Sequence, residues 1–439
     1  MSVNLVGLKK LEKKSEYIFV TEYKEYENNL DPILLNELIY KDICSIKKNK
    51  VKFKVVGILV WGNMFILIFP KGYSIPTDSK EREKHAQILI QTLLKYRAEN
   101  KLDIEEAEML AGEEGDFSEN LYTAWQIFND FVQNGILNKT EKEKVLNDKN
   151  IDWQATINKT HPLFSGDSII YASPVSRRRV NNQQHLLVKL QNFCVFRSVE
   201  KYGWLFEVSH SELDLEVREL PCDIRYAINY LIKELNYTFK EREQIVIKML
   251  IDFLQGIEAE QSDEKLNLLA TPYFHNVWEK VCGQIFDSQY ELLKSIIPKT
   301  NWEISGNAKV HSQRPDIMIL KNEILYILDA KYYDIESNLP GWSDIVKQLF
   351  YSYTIFKNIT SERFTTKNEK LDIKLKNIKE VNNSFLFPSN HEEPIKRIGK
   401  VSVENNEDLK DVAAYQVNTF FAMNCYLEKK KYNFLMHIS

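Results

Sequence analysis

At 439 residues the chain exceeds the ~100–200 residues of one domain, so two or three domains are expected. Its 44% apolar and 27% charged residues, with 23 Phe, 22 Tyr and 7 Trp, exclude extensive disorder. A net charge of −4 argues against a protein that holds DNA through an overall basic surplus: either its basic residues are concentrated locally or a partner supplies the affinity.

The apolar stretches Val55 to Trp61 and Met64 to Pro70 are broken by Gly62 and Asn63 and fall short of the ~20 residues that span a bilayer. They are expected as a buried hairpin and not as membrane segments. The start, MSVNLVGLKKLEKK, has no sustained apolar run before a small-residue cleavage site, which makes the cytoplasm the expected compartment. Through KEREKHAQILIQTLLKYRAEN, Ile88, Leu89, Leu93 and Tyr96 share one helical face. Residues 1–100 thus read as a strand-rich and helical N-terminal domain. The acidic stretch Asp103 to Asp116 reads as a boundary, and 101–256 as a mostly helical middle region. Within it SPVSRRRVNNQQ reads as a basic loop, where Arg177, Arg178 and Arg179 are candidates to contact DNA or a partner; a solvated loop is the plain alternative. Gly256 to Lys265 reads as a linker. The third domain, 257–439, follows, with NSFLFPS and RIGKVSVE as strands and AAYQVNTFFAMNCYLEKKK as a closing helix.

Five scattered cysteines fit neither a disulfide framework nor a zinc site, and no Gly-rich loop ending in Lys-Ser or Lys-Thr marks a nucleoside triphosphatase. His311, five residues before Asp316, is read as structural or exposed rather than catalytic. The chemistry concentrates in RPDIMILKNEILYILDAKYY, Arg314 to Tyr333. Ile317 to Leu320 and Ile324 to Leu328 are short apolar runs separated by Lys321, Asn322 and Glu323, which reads as strand, turn, strand. A turn centred on Asn322 and Glu323 sets Asp316 opposite Asp329, with Cβ atoms roughly 4.5–5.5 Å apart. Lys331, two residues beyond Asp329, shares its face, and Ala330 points to the other. Two apposed carboxylates repel unless a hard divalent cation such as Mg²⁺ neutralises them; a solvated, salt-bridged hairpin is the competing reading. Upstream, Phe274, Val277, Trp278, Val281, Cys282 and Ile285 mark an amphipathic helix that carries Glu279. Downstream, SDIVKQLFYSYTIF reads as a helix with Gln348 and Tyr351 one turn apart and facing one site, Tyr353 being left to helix packing.

With Pro315 and Asp316 as the PD, and Asp329, Ala330 and Lys331 as the DxK, this arrangement resembles the PD-(D/E)xK nuclease superfamily. That resemblance implies a metal-binding acid on the preceding helix, here Glu279, and a glutamine on the following one, here Gln348; tyrosines follow Gln348 at three and five residues, where four is more frequent. FHNVWEKVC, RPDIMIL, LDAKYY and KQLFYSY, with NIDWQATI (Asn150 to Ile157) and LLKYR (Leu93 to Arg97), are more narrowly similar to LlaJI-type restriction endonucleases, which are related to McrC nuclease subunits. The resemblance implies an α/β fold with an α+β N-terminal region and a C-terminal PD-(D/E)xK domain, a mixed central sheet flanked by helices. It also implies a DNA endonuclease subunit of a nucleotide-dependent restriction system, acting on double-stranded DNA with Mg²⁺ (Mn²⁺ substituting) beside an McrB-like ring ATPase or GTPase that the N-terminal domain would contact. In that reading Asp316, Asp329 and the Ala330 carbonyl hold the metal, Glu279 assists, Lys331 orients the nucleophile, and Gln348 steadies the lysine or a phosphate. A non-catalytic DNA-binding or assembly adaptor that keeps the same fold is the alternative.

Overall fold

Three stretches of chain build a mixed α/β protein that divides into two compact units, residues 1–114 with 264–439, and residues 115–263. The computed structural model describes residues 16–102, 110, 121–146, 149–182, 184–206, 208, 213, 215, 217–260, 266–304, 307–336, 338–362, 364, 368–404 and 409–434. The acidic stretch 103–116 therefore lies, except for Leu110, outside the described residues.

The first unit begins with strands β1 (Glu16–Thr21) and β2 (Glu25–Glu27), helix α1 (Pro32–Tyr40), strands β3 (Cys44–Lys47), β4 (Lys50–Phe53), β5 (Val56–Trp61) and β6 (Met64–Phe69), and helix α2 (Ser79–Glu99). Asp31 starts α1 by accepting from the Ile33 and Leu34 amides, and Pro32, which has no amide hydrogen to satisfy, takes the first turn. The two apolar runs form β5 and β6, joined by a two-residue turn with Gly62 at φ 55°. Every residue of β5 is buried: Leu59 and Trp61 pack with Leu34 and Leu38 of α1, and α2 also lies against the strand.

The second unit holds α3 (Leu121–Asn134), β7 (Thr140–Leu146), α4 (Trp153–Lys159), β8 (Leu163–Ser165), β9 (Ser168–Ile170), β10 (Val175–Asn181), α5 (Leu186–Tyr202), α6 (Ile224–Tyr237) and α7 (Glu241–Glu260). Helix α3 packs on α5 and α7, and α6 on α7. Arg242 grips Asp130 through two hydrogen bonds of 3.1 and 2.9 Å, the planar fork matching the carboxylate. Two expectations change here. The arginine run is strand β10, antiparallel to β7 with Arg177 opposite Lys144, because the ladder supplies partners for backbone groups that a loop would leave to water. The linker begins as helix, since α7 continues through Gly256 to Glu260, while 261–265 lie outside the described residues.

Strand β11 (Leu266–Thr271) then re-enters the first unit and pairs antiparallel with β5, completing the sheet β1-β6-β5-β11. The approach is tight. A Cβ on Gly57, at φ +147°, would lie 2.1 Å from the Leu269 carbonyl oxygen, so the backbone there needs glycine. The N-terminal segment and the segment after 264 therefore share one sheet, whereas the sequence suggested separate domains.

The remaining elements are α8 (Phe274–Ile285), α9 (Tyr290–Leu293), β12 (Lys299–Ile304), β13 (Asn307–Ser312), β14 (Ile317–Lys321), β15 (Ile324–Ala330), α10 (Trp342–Thr360), α11 (Glu369–Lys376), β16 (Glu380–Ser389), β17 (Ile395–Val401), β18 (Val412–Asn418) and α12 (Thr419–Leu427). They form a five-stranded mixed sheet, β14-β15-β16-β18-β17, with a parallel centre and antiparallel edge strands. Helix α10 lies on β15, β16 and β18, and α8 packs on β15 and α12. AAYQVN, expected to open the closing helix, is instead the inner strand β18, and its Val412, Tyr415 and Val417 are buried. The helix starts only at Thr419, where the Asn418 side chain accepts from the Phe421 amide at 2.7 Å. Among the described residues no helix is long and apolar enough to cross a membrane, and the five cysteines are free thiols.

Candidate active site

The β14–β15 hairpin turns on Asn322 and Glu323, both at positive φ (51° and 63°), the backbone a two-residue turn of the primed type requires. Ile317 pairs with Leu328, so the next facing positions are Asp316 and Asp329, as the sequence register implies. One Asp316 oxygen accepts from the Ala330 amide at 2.9 Å, which ties the carboxylate across the mouth of the hairpin. Asp329 is only 3% exposed. Its carboxylate lies 2.9 Å from the Lys331 ammonium, which reaches Asp344 at 2.8 Å on its other side.

The electrostatics follow from this crowding. Burial, then repulsion from Asp329 and Glu279, push the Asp316 carboxyl up to about 7. Glu279, on the α8 face toward these acids, is raised by burial and by Asp329, against the opposing pull of Lys331, Lys347 and Arg314. Burial alone would lower the Lys331 ammonium, but Asp329 and Asp344 more than reverse that and hold it above its ordinary value. Burial works against the charge on Asp344, and contact with Lys331 nonetheless holds its carboxyl below the usual range. Two acids, Asp329 and Asp344, thus hold Lys331, while Asp316 and Glu279 crowd Asp329.

Gln348 on α10 is buried and donates to the Ile327 carbonyl at 2.9 Å, bracing β15 two residues before Asp329. Its Oε1 has no hydrogen-bond partner among the described residues, an orphan acceptor that costs free energy unless a donor reaches it. Tyr351, one turn on, does not face an open site: it is 5% exposed and packs among Met318, Leu325, Ile327 and Ile355. The solvent-facing tyrosine is Tyr353, 57% exposed, the reverse of the expected division. Arg177 lies in the second unit, ion-paired to Asp152 at 2.5 Å, and the side chains of Arg178, Arg179 and His311 are outside the described residues.

Two groups were not found from the sequence. Asp344 stands in the first turn of α10, where an acid reads as a partner of the helix dipole; its i, i+4 spacing to Gln348, which puts both on one face, was the available signal. Tyr332, next to Lys331, donates its hydroxyl hydrogen to buried Glu22 at 2.6 Å and accepts from the Lys71 amide at 3.0 Å. No pattern in the sequence joins residues so far apart.

The donor set suits a hard cation. Among the described residues no three His, Cys, Asp or Glu side chains converge into a complete metal cage. Mg²⁺ needs no such cage, because it keeps waters and is bound through one or two carboxylates plus substrate phosphate. The raised Asp316 carboxyl and the surplus of acids over Lys331 are what a bound cation would relieve.

The chain matches the LlaJI restriction endonuclease family over residues 55–419, and it belongs to that family. It is 28% identical over 461 residues to the type II restriction enzyme BsuMI component YdjA of Bacillus subtilis (strain 168), across 96% of this chain and 91% of that protein. Among solved structures it is similar to a half-complex from the tetradecameric assembly of Thermococcus gammatolerans McrB AAA+ hexamers with bound McrC, with a TM-score of 0.42 and 13% identity, across 94% of this chain and 99% of that one. The LlaJI resemblance first read from six short stretches is thereby borne out.

Proposed function

We propose that this chain is the cutting subunit of a nucleotide-dependent restriction system that defends against foreign DNA, and that it hydrolyses phosphodiesters in double-stranded DNA at a C-terminal PD-(D/E)xK site. The observation that carries this reading is the hairpin register setting Asp316 against Asp329, with Lys331 on the same face. Asp316, Asp329 and the Ala330 carbonyl would hold Mg²⁺, with Glu279 assisting. When bound, the ion would supply Lewis-acid charge stabilisation at the phosphate and lower the pKa of water. Lys331 orients the attacking water and offsets charge on the pentavalent phosphorus, after which the P–O bond to the leaving sugar oxygen breaks. Gln348 offers its orphan acceptor to the lysine or the water. An McrB-like ring ATPase or GTPase in the cytoplasm completes the reading. In support, the curated relative is itself called a component, and the chain has no phosphate loop of its own.

Cleavage of plasmid DNA with the partner ATPase or GTPase, nucleotide and Mg²⁺ or Mn²⁺ tests this. Asp329→Ala and Lys331→Ala should each abolish cutting while the fold, read by circular dichroism, is kept. Asp344→Asn, which removes one of the two anchors of Lys331, should lower the rate about 10–100-fold, as loss of supporting contacts typically does. Wild-type cutting by either alanine variant would refute the assignment. The adaptor reading draws on the ion pairing of Lys331 with both Asp329 and Asp344. It predicts no Mn²⁺ binding by calorimetry and full function of the assembled system with Lys331→Ala.

A further inference from the structure

Helix α8 has one fully apolar face, with Phe274, Val277, Trp278, Val281, Cys282 and Ile285 buried. On its other face Asn276, Glu279, Lys280, Gly283 and Gln284 recur at offsets of three, four, seven and eight residues and line a cleft of about 580 Å³. The cleft continues directly from the site, since Glu279 and Asp316 form part of its wall; Tyr290 and Arg314 lie along it, as does Tyr96 from α2. Its volume falls within the ~300–1,000 Å³ of ligand-sized clefts, room for a short stretch of one strand rather than a duplex.

Gly283 is the informative residue. Glycine inside a helix is less stable than alanine, and structures keep it where the backbone or the packing demands it. Neither does so here: its φ is not positive, and an added Cβ would have no atom within 4 Å. What a side chain at 283 would occupy is the cleft itself. Lys280 and Arg314 are exposed cations, neither ion-paired among the described residues, although Arg314 acts electrostatically on Glu279. They set positive charge beside a wall of acids, the arrangement that a phosphate backbone running up to a cation-requiring site would use.

We propose that this cleft holds the DNA strand next to the bond to be cut, with Lys280 and Arg314 on its phosphates and Gly283 keeping the channel open. The inference rests on the nuclease reading above. It adds three residues outside the PD and DxK motifs that govern substrate binding and not the chemical step.

Binding of a fluorescent DNA duplex to the full-length protein, by anisotropy in EDTA over a range of salt concentrations, reads the cleft without any turnover. Gly283→Trp should weaken binding at least tenfold with an unchanged melting temperature; Gly283→Gln provides a second, smaller plug, and Gly283→Ala should bind as wild type. The double variant Lys280→Ala with Arg314→Ala should reduce the slope of log affinity against log salt by about 2. Wild-type affinity and slope in the plugged and double variants overturn the proposal, as does absence of wild-type binding at about 0.1 mM protein, the weak end of non-specific affinity. The two readings fail separately. If Gly283→Trp binds and cuts like a cutting wild type, the cleft inference falls and the nuclease reading stands; if Gly283→Trp loses binding but wild type never cuts with its partner, the reverse holds.

Discussion

Lys331 shows how much of a site depends on the residues around its motif. The DxK spacing places it on the face of Asp329, but Asp344 holds its far side and Tyr332 anchors the adjoining backbone to Glu22. Glu22 is 3% exposed, and burial pushes its carboxyl from 4.5 up to about 7, against the opposing effects of Tyr332 and Lys71. A raised native pKa means that the folded chain binds this proton more tightly than the unfolded chain. Its contribution to stability is therefore fully present below pH 4.5 and is lost as pH rises through 7, on the order of 3 kcal/mol at most. Glu22→Gln keeps an acceptor for the Tyr332 hydroxyl and removes the titration. Thermal melts should show it more stable than wild type at pH 8 and little changed at pH 5; equal melting temperatures at both would refute the account.

At the scale of elements, the hairpin and α8 were legible because their signals are local. Two short apolar runs and a two-residue turn define β14 and β15, and the 3.6-residue stripe defines α8. Strand β18 was not legible, because AAYQVN carries no strict alternation and runs straight into helix α12; only its insertion between β16 and β17 makes it a strand. The seam between β5 and β11 was equally hidden, since the paired Ile58 and Leu269 lie 211 positions apart in the chain and meet only in space. Gly57 is its weak point. Gly57→Ala sets a methyl against the Leu269 carbonyl at an unfavourable φ and should cost about 3 kcal/mol or more, measured by urea unfolding.

At the scale of the molecule, the chain leaves the first unit at 114 and returns at 264, so its N-terminal and C-terminal segments fold as one body. Lys95 of α2 donates to the Tyr426 carbonyl, the Tyr426 hydroxyl donates to Glu99 at 3.1 Å, and Asn390 donates to the Gly72 carbonyl at 2.6 Å. Residues 264–439 expressed alone would expose the β11 edge and the α12 surface that α2 covers, both open to non-native association. That fragment should be insoluble or molten by circular dichroism, and co-expression with residues 1–114 should recover it. A well-folded monomeric fragment would contradict the shared core.

The sequence by itself determined the hairpin, its register, the apposed Asp316 and Asp329, the lysine beside them and the family, because turn chemistry and side-chain alternation act between near neighbours. Only the tertiary structure decided that β11 joins β5, that Asp344 holds Lys331, that Glu22 reaches Tyr332, and that a cleft opens along Gly283. Those outcomes depend on which distant segments bury one another, a property of the assembled cores that no local pattern encodes.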